Sequence, residues 1–350
     1  MTPKPSLQTT CYGLRPTHAG DLKRLGVMKA IYIESYGGPE VLQFGECSRP
    51  VPKPGQVLIE VHAASVNPRD WLLREGRYVF RYLARGFPLV LGSDVSGVVV
   101  EVGSGAKRFK PGDRVFGMQT PLGRMGGYAE YTAISERALA RKPDHVSHEA
   151  AAAAPCAALT AYGALVEIGR IGSGSHVLVV GASGGVGSYA VQMAKSLSAT
   201  VAAVTSTSNV ALVHSLGADK VIDYKAERFT NVIQGQDIVF DTIGKESLAS
   251  CRSVLVPGGR YVTTIPSGRT AAESVISRLS RFLSGGRTPS AHVVLVQANG
   301  KQLERIAALM EQRRIRSIID TVYPLHDARK AHEKSRSWRT RGKLVLSVRS

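Results

Sequence analysis

The chain has 350 residues, about twice the usual single-domain length, so two domains are expected. No apolar run approaches the ~18 residues needed to cross a bilayer, and the four cysteines (Cys11, Cys47, Cys156, Cys251) lie far apart with no C-x-x-C pair. That spacing argues against a disulfide framework or a cysteine-rich zinc lobe and fits a reducing, cytoplasmic setting, or an organelle matrix if residues 1–28 are a transit segment. The net charge is +18, with 13 basic against five acidic residues over 300–350. A basic field of this kind attracts anions in general, including phosphates, nucleic acid and acidic lipid.

In chain order, residues 1–28 lack hydrophobic periodicity and read as a loose tail, or as sequence upstream of an alternative start at Met28. Residues 29–34 and 56–63 alternate apolar and polar side chains as half-buried strands do. Further strands are expected over 95–102, after the Lys110-Pro111-Gly112-Asp113 turn, and over 127–132. Many short strands with Gly and Pro punctuation predict a compact, barrel-like β domain. After Pro143 the texture changes. Residues 149–154 and 156–166 read as helix, and 175–180 as a fully buried strand. Helices over 187–197, 210–216 and 245–254 then alternate with strands over 200–205, 220–223, 237–241 and 259–264. This alternation predicts a doubly wound parallel sheet with helices on both faces, an α/β fold. A last strand over 292–296, a helix over 301–313 and a return strand over 343–348 complete the chain. Residues 76–87 and 267–290 read as variable loops.

The strand over 175–180 runs into Gly181-Ala182-Ser183-Gly184-Gly185-Val186-Gly187, which opens a helix. Glycines there let the backbone turn tightly and approach a pyrophosphate at the positive helix N-terminus. The second strand ends in Thr205-Ser206-Thr207-Ser208-Asn209, where a site for NAD would place an Asp or Glu on the ribose 2′-hydroxyl. Hydroxyls without a carboxylate favour a 2′-phosphate, so the expected cofactor is NADPH. The same Ser/Thr run also suits a helix cap.

From Met28 onward the chain resembles the medium-chain dehydrogenase/reductase superfamily and, within it, the quinone oxidoreductases, including the mitochondrial reticulon-interacting oxidoreductases. The resemblance rests on Ser65-Val66-Asn67-Pro68-Arg69-Asp70, Leu91-Gly92-Ser93-Asp94-Val95-Ser96-Gly97, Leu159-Thr160-Ala161-Tyr162, the glycine turn, and Leu216-Gly217-Ala218-Asp219-Lys220-Val221-Ile222-Asp223-Tyr224. It implies a Rossmann-type nucleotide-binding domain over 149–299 and a GroES-like β-barrel catalytic domain over 29–148 and 300–350. It implies that Asn67 and Thr160 line the nicotinamide and substrate end. Ser183, Gly184, Gly185 and Val186 would cradle the pyrophosphate, Ser206 and Tyr224 would face the adenosine phosphate and ribose, and Arg341 and Gly342 would belong to a loop folding back on the cofactor. Zinc-dependent relatives bind catalytic zinc through Cys, His and Cys. Here Val66 or Asn67 stands in the first region, Ser93 replaces the His and only Cys156 remains, so no metal is expected.

Without a Lewis acid the hydride acceptor must be reactive, as quinones and α,β-unsaturated carbonyls are. The leading expectation is a zinc-independent NADPH-dependent reductase of a quinone or enone. The alternatives are a zinc-independent reductase of other carbonyls, or a nucleic-acid or anionic-surface binder that keeps the fold. The chain lacks the basic and aromatic interleaving of single-strand binders. The resemblance also implies a homodimer joined edge to edge near residues 292–296, with residues 267–290 as a competing cover for that edge.

Overall fold

A computed structural model describes residues 26–78, 81, 86–120 and 125–349. The expected tail lies outside them up to position 25, and Val27 and Met28 already belong to the first strand, Val27–Ile33. The chain forms two compact units, one comprising residues 1–156, 298–307 and 319–350, the other residues 157–297 and 308–318.

The first unit is built on short, mostly antiparallel strands. Its larger sheet runs Ile319–Pro324, Lys343–Ser347, Gln56–Val66, Asp94–Val102, Arg114–Met118 and Leu139–Arg141, with Tyr131–Ser135 also paired to Gln56–Val66. A three-stranded sheet sets Val27–Ile33 between Gln43–Ser48 and Leu89–Val90. The inward residues of these strands form one core that includes Ile31, Val57, Ile59, Val95, Val115 and Leu346. Period-two alternation identifies the long strands well, whereas the two-residue Leu89–Val90 and three-residue Leu139–Arg141 are too short to show it.

The second unit contains six parallel strands in the order Lys220–Asp223, Thr200–Thr205, His176–Val180, Gln236–Asp241, Leu255–Thr263 and Ser290–Val293. Strand His176–Val180 is buried over four of its five residues, as a central parallel strand covered on both faces must be. Thr200–Thr205 and Lys220–Asp223 have the expected bounds.

Three expectations need correction. The helix expected over 245–254 is confined to Leu248–Cys251. The buried Asp241 carboxylate accepts hydrogen bonds from the amides of Ile243, Gly244 and Glu246 (2.9, 2.9 and 2.8 Å) and holds that segment as a turn. Residues 267–290 are not simply a loop: Ser267 caps a 16-residue helix, Gly268–Leu283, accepting from the Thr270 amide at 3.1 Å. The expected reduced cysteines hold for Cys156 and Cys251, whereas Cys47 is disulfide-bonded. Half of the expected variable loop over 76–87, positions 79, 80 and 82–85, lies outside the described residues.

Close strand approach in the first unit requires Gly97, where a Cβ would lie 2.0 Å from the Glu60 carbonyl oxygen. Gly97→Ala should therefore lower stability by about 1–3 kcal/mol in urea unfolding, through forced separation of the two longest strands. An unchanged midpoint would show that the strands are not held this closely.

Candidate functional site

The first unit gathers a buried polar cluster around Asp94. This residue opens strand Asp94–Val102, pairs in register with Ser65 and is fully buried. Its Oδ2 accepts from Ser65 Oγ (3.0 Å), Asn67 Nδ2 (3.0 Å) and the Cys156 amide (3.2 Å). Asn67 Nδ2 also lies 3.4 Å from Ser93 Oγ. Lys343, at the start of the last strand, donates to Asn67 Oδ1 (2.6 Å) and the Val66 carbonyl (3.1 Å), with its ammonium 3.9 Å from Asp94. Asn67 is thus fixed on both faces of its amide, with Oδ1 toward the ammonium and Nδ2 toward the carboxylate.

Pro68 sits at the first position of helix Pro68–Arg74, where its missing N–H costs nothing. The Asp70 carboxylate accepts from the Asn67 amide (2.8 Å) and from the Tyr128 hydroxyl (2.9 Å). Burial raises the Asp70 pKa to about 6 and holds the Tyr128 hydroxyl well above its usual range. Burial likewise pushes the Cys156 thiol up to about 12. Arg69 is 7% exposed, and all three of its guanidinium nitrogens are buried without a hydrogen-bond acceptor. Such a group retains its full donor capacity for an oxygen-bearing ligand.

Lys343, counted in the sequence among the basic C-terminal residues, is therefore part of this cluster. Arg69 and Ser65 were also not singled out from the sequence. In the regions where the resemblance puts zinc ligands, Val66 or Asn67, Ser93 and Cys156, the polar side chains are one amide, one hydroxyl and one thiol, beside a lysine ammonium. Zinc prefers thiolate, imidazole and carboxylate donors. Among the described residues no group of three His, Cys, Asp or Glu is placed to hold a metal ion.

In the second unit, strand His176–Val180 passes through Gly181, with φ +82°, into helix Gly185–Ser196. A Cβ at Gly187 would lie 2.2 Å from the Gly181 carbonyl oxygen, so this glycine allows helix and strand to touch. A Cβ at Gly184 would meet only the Gly181 carbonyl oxygen, at 3.4 Å. As the N-cap, Gly184 contributes no side chain to the first-turn amides. Open space before free amides is what a pyrophosphate requires. Ser183 Oγ accepts from Thr205 Oγ1 (3.0 Å) and Asn209 Nδ2 (3.1 Å), and Asn209 Nδ2 also donates to Ser206 Oγ (3.1 Å). Asn209 Oδ1 is buried without a partner, an acceptor suited to a ribose hydroxyl. The Tyr224 amide donates to the Thr205 carbonyl (3.1 Å), which sets its exposed ring beside the same strand end.

The residues of this turn fit a nicotinamide dinucleotide. One carboxylate was overlooked in the sequence: Asp223 pairs in register with Thr205. It is engaged by the Thr207 hydroxyl and the Lys225 amide, which hold its pKa below the usual carboxylate range. Of the other expected site residues, buried Thr160 belongs to the second unit and Asn67 to the first. Arg341 and Gly342 also belong to the first unit. The Arg341 amide donates to Asp320 (2.8 Å), and Gly342 takes φ +71° before strand Lys343–Ser347.

Residues 53–144 match the alcohol dehydrogenase GroES-like domain, and residues 216–346 match the zinc-binding dehydrogenase family. The chain is 35% identical to the human mitochondrial NAD(P)H oxidoreductase RTN4IP1, over 93% of this chain and 90% of that protein. It is 37% identical to the 2-methylene-furan-3-one reductase of Solanum lycopersicum, over 85% and 72% respectively. The structure of the quinone oxidoreductase from Coxiella burnetii superimposes with a TM-score of 0.82 at 32% identity, covering 93% of this chain and all of that one.

Burial of Asp70 has a consequence for stability. Its pKa is raised in the folded protein, so the contribution is present below its unfolded value of 3.8 and is lost as pH rises to about 6. Between pH 4 and pH 7, Asp70→Asn should gain about 2 kcal/mol on the wild type in urea unfolding, because only the wild type must ionise a buried carboxyl. Parallel pH profiles for the two proteins would contradict this.

Proposed function

Because the chain belongs to the medium-chain dehydrogenase/reductase superfamily, we propose that it is a zinc-independent, NADPH-dependent oxidoreductase that reduces quinones or α,β-unsaturated carbonyl compounds. The observation that carries this reading is the Asp94 cluster: an amide, a hydroxyl and a lysine ammonium occupy the region where a zinc enzyme would place its metal ligands. An acceptor in such a site must delocalise negative charge through its own conjugation, as quinones and enones do. The nicotinamide supplies the hydride.

Within this reading Asn67 and Thr160 orient the nicotinamide and substrate. Arg69 donates to the substrate oxygen that gains the electron pair as hydride adds to the conjugated carbon, stabilising the charge where it develops. A proton from solvent then completes the reduced product. Ser183, Gly184, Gly185 and Val186 hold the pyrophosphate, Ser206 and Tyr224 the adenosine end, and Arg341 and Gly342 close on the cofactor from the loop before the last strand. The hydroxyls of Thr205, Ser206 and Ser208 favour the 2′-phosphate, with Asp223 drawn away by Thr207 and Lys225.

Among the described residues no helix is long and apolar enough to span a membrane. We place the enzyme in the cytoplasm or an organelle matrix, as a homodimer with residues 292–296 at or near the interface. Strand Ser290–Val293 is the outermost of its sheet, and Leu295 beyond it is 62% exposed. The Ala291 amide is already taken by Ser277 Oγ (2.9 Å), so the chain's own helix serves part of this edge. Val294 is buried and would report on folding, which makes Leu295 the better probe.

The direct test is NADPH oxidation against a panel of quinones, enones and simple ketones. Chelator-treated protein should turn over the first two classes and not the third. Ser206→Asp should weaken NADPH by about 1–3 kcal/mol through like-charge repulsion while sparing NADH. Turnover confined to simple ketones, activity abolished by chelator, or equal binding of the two nucleotides by wild type would each overturn the corresponding part. For assembly, sedimentation at micromolar concentration should show a dimer that Leu295→Glu weakens, and a wild-type monomer would refute it.

A further inference from the structure

Helix Gly268–Leu283 is amphipathic in the reverse sense from an ordinary surface helix. Its buried positions are polar, Thr270 and Ser277. Ser277 Oγ accepts from the Ala291 amide (2.9 Å), Arg281 donates to the Gly258 carbonyl (2.7 Å), and Glu273 accepts from the Leu248 amide (3.2 Å). Hydrogen bonds to backbone therefore hold the helix on the second unit. Its large apolar side chains face outward instead: Val275, Ile276, Leu279, Phe282 and Leu283 are 61–83% exposed. At 3.6 residues per turn these five fall within an arc of about 120°. Single exposed apolar residues are normal on a protein surface, but five on one contiguous helix face mark an interaction surface.

The charges at the borders of this face indicate what covers it. On the same helical projection Arg278 flanks one side and Arg269 the other, and both are exposed, as is Arg287 just beyond the helix end. The acidic residue of the helix, Glu273, is turned toward Leu248 and paired with Arg269. The protein as a whole carries +18. An apolar stripe bordered by arginines matches the boundary of an anionic bilayer, where the stripe enters the acyl region and the guanidiniums meet lipid phosphates. A second copy of the chain seated on this face would bring the same arginines against themselves, which opposes pairing through it.

We propose that helix Gly268–Leu283 is a peripheral membrane anchor that docks the protein on anionic phospholipid surfaces, lying in the interface and not crossing it. This is independent of the reaction assigned above. It gives the basic character of the chain a specific role, since the arginines draw the face to the surface and the apolar side chains retain it.

The test uses the full chain and extruded vesicles, either of pure phosphatidylcholine or with about 30 mol% phosphatidylglycerol, in co-sedimentation. Wild type should bind the anionic vesicles at least about ten-fold more tightly than the neutral ones. A Leu279→Glu, Phe282→Glu double variant should lose at least about ten-fold of that binding, with its thermal midpoint and NADPH affinity unchanged. These controls separate loss of docking from loss of fold. Arg278→Gln with Arg269→Gln should reduce anionic binding without creating neutral binding. Equal vesicle binding by wild type and the Glu double variant would overturn the proposal and assign lipid attraction to other basic segments. Absence of vesicle binding, together with a wild-type dimer that the double variant dissociates in sedimentation velocity, would overturn it in favour of a second copy.

Discussion

A carboxylate removed from water must be compensated, and the first unit is organised around meeting that requirement at Asp94. Ser65 and Asn67, the Cys156 amide and the Lys343 ammonium reach it from three separate stretches of chain. An isolated buried charge would cost several kcal/mol, so each partner is constrained in position as well as in type. The register of strands Gln56–Val66, Asp94–Val102 and Lys343–Ser347 follows, because sliding any one by a residue would turn its contributor to the opposite face. The Asn67 side chain is held by this arrangement, while its backbone N–H donates to the other carboxylate, Asp70. Two carboxylates thus divide the work: one fixes the asparagine side chain, the other its backbone.

The second unit solves a different problem by leaving groups out. Gly184 and Gly187 supply no Cβ, one so that an anion can approach free amides and the other so that helix and strand can touch. The helix dipole then favours negative charge at the same place. Preorganised backbone donors need no side-chain entropy to be lost on binding, which suits a cofactor that must be exchanged at each turnover.

The sequence was most legible where local pattern and tertiary demand agree. Strands Thr200–Thr205 and Lys220–Asp223 are apolar or alternating runs between clear turn signals, and their bounds are as read. The glycine turn was legible for the same reason. Failures came where a local side-chain hydrogen bond outweighed helix propensity. Asp241 draws three amides into a turn and shortens the helix that follows, a bond visible only once the sheet is formed. Lys343 is one of 13 basic residues over 300–350, and nothing in its sequence neighbourhood sets it apart from Arg339 or Arg341; its place in a strand turns it inward while those two stay exposed. Helix Gly268–Leu283 has helical spacing at positions 275, 276, 279, 282 and 283, but the flanking serines and the Gly285-Gly286 pair gave the whole segment the texture of a loop.

In the proposed function Asp94 organises the substrate end, and the glycine turn holds the cofactor separately. Asp94→Asn keeps the shape and removes the charge that anchors Lys343 and Asn67. Measured side by side, NADPH affinity by fluorescence titration and kcat/KM for the preferred quinone or enone should separate. Affinity is expected to stay within about two-fold, while kcat/KM falls roughly 100-fold, the scale on which a misplaced positioning group acts. An Asp94→Asn protein that folds normally and reduces its substrate at the wild-type rate would contradict the account.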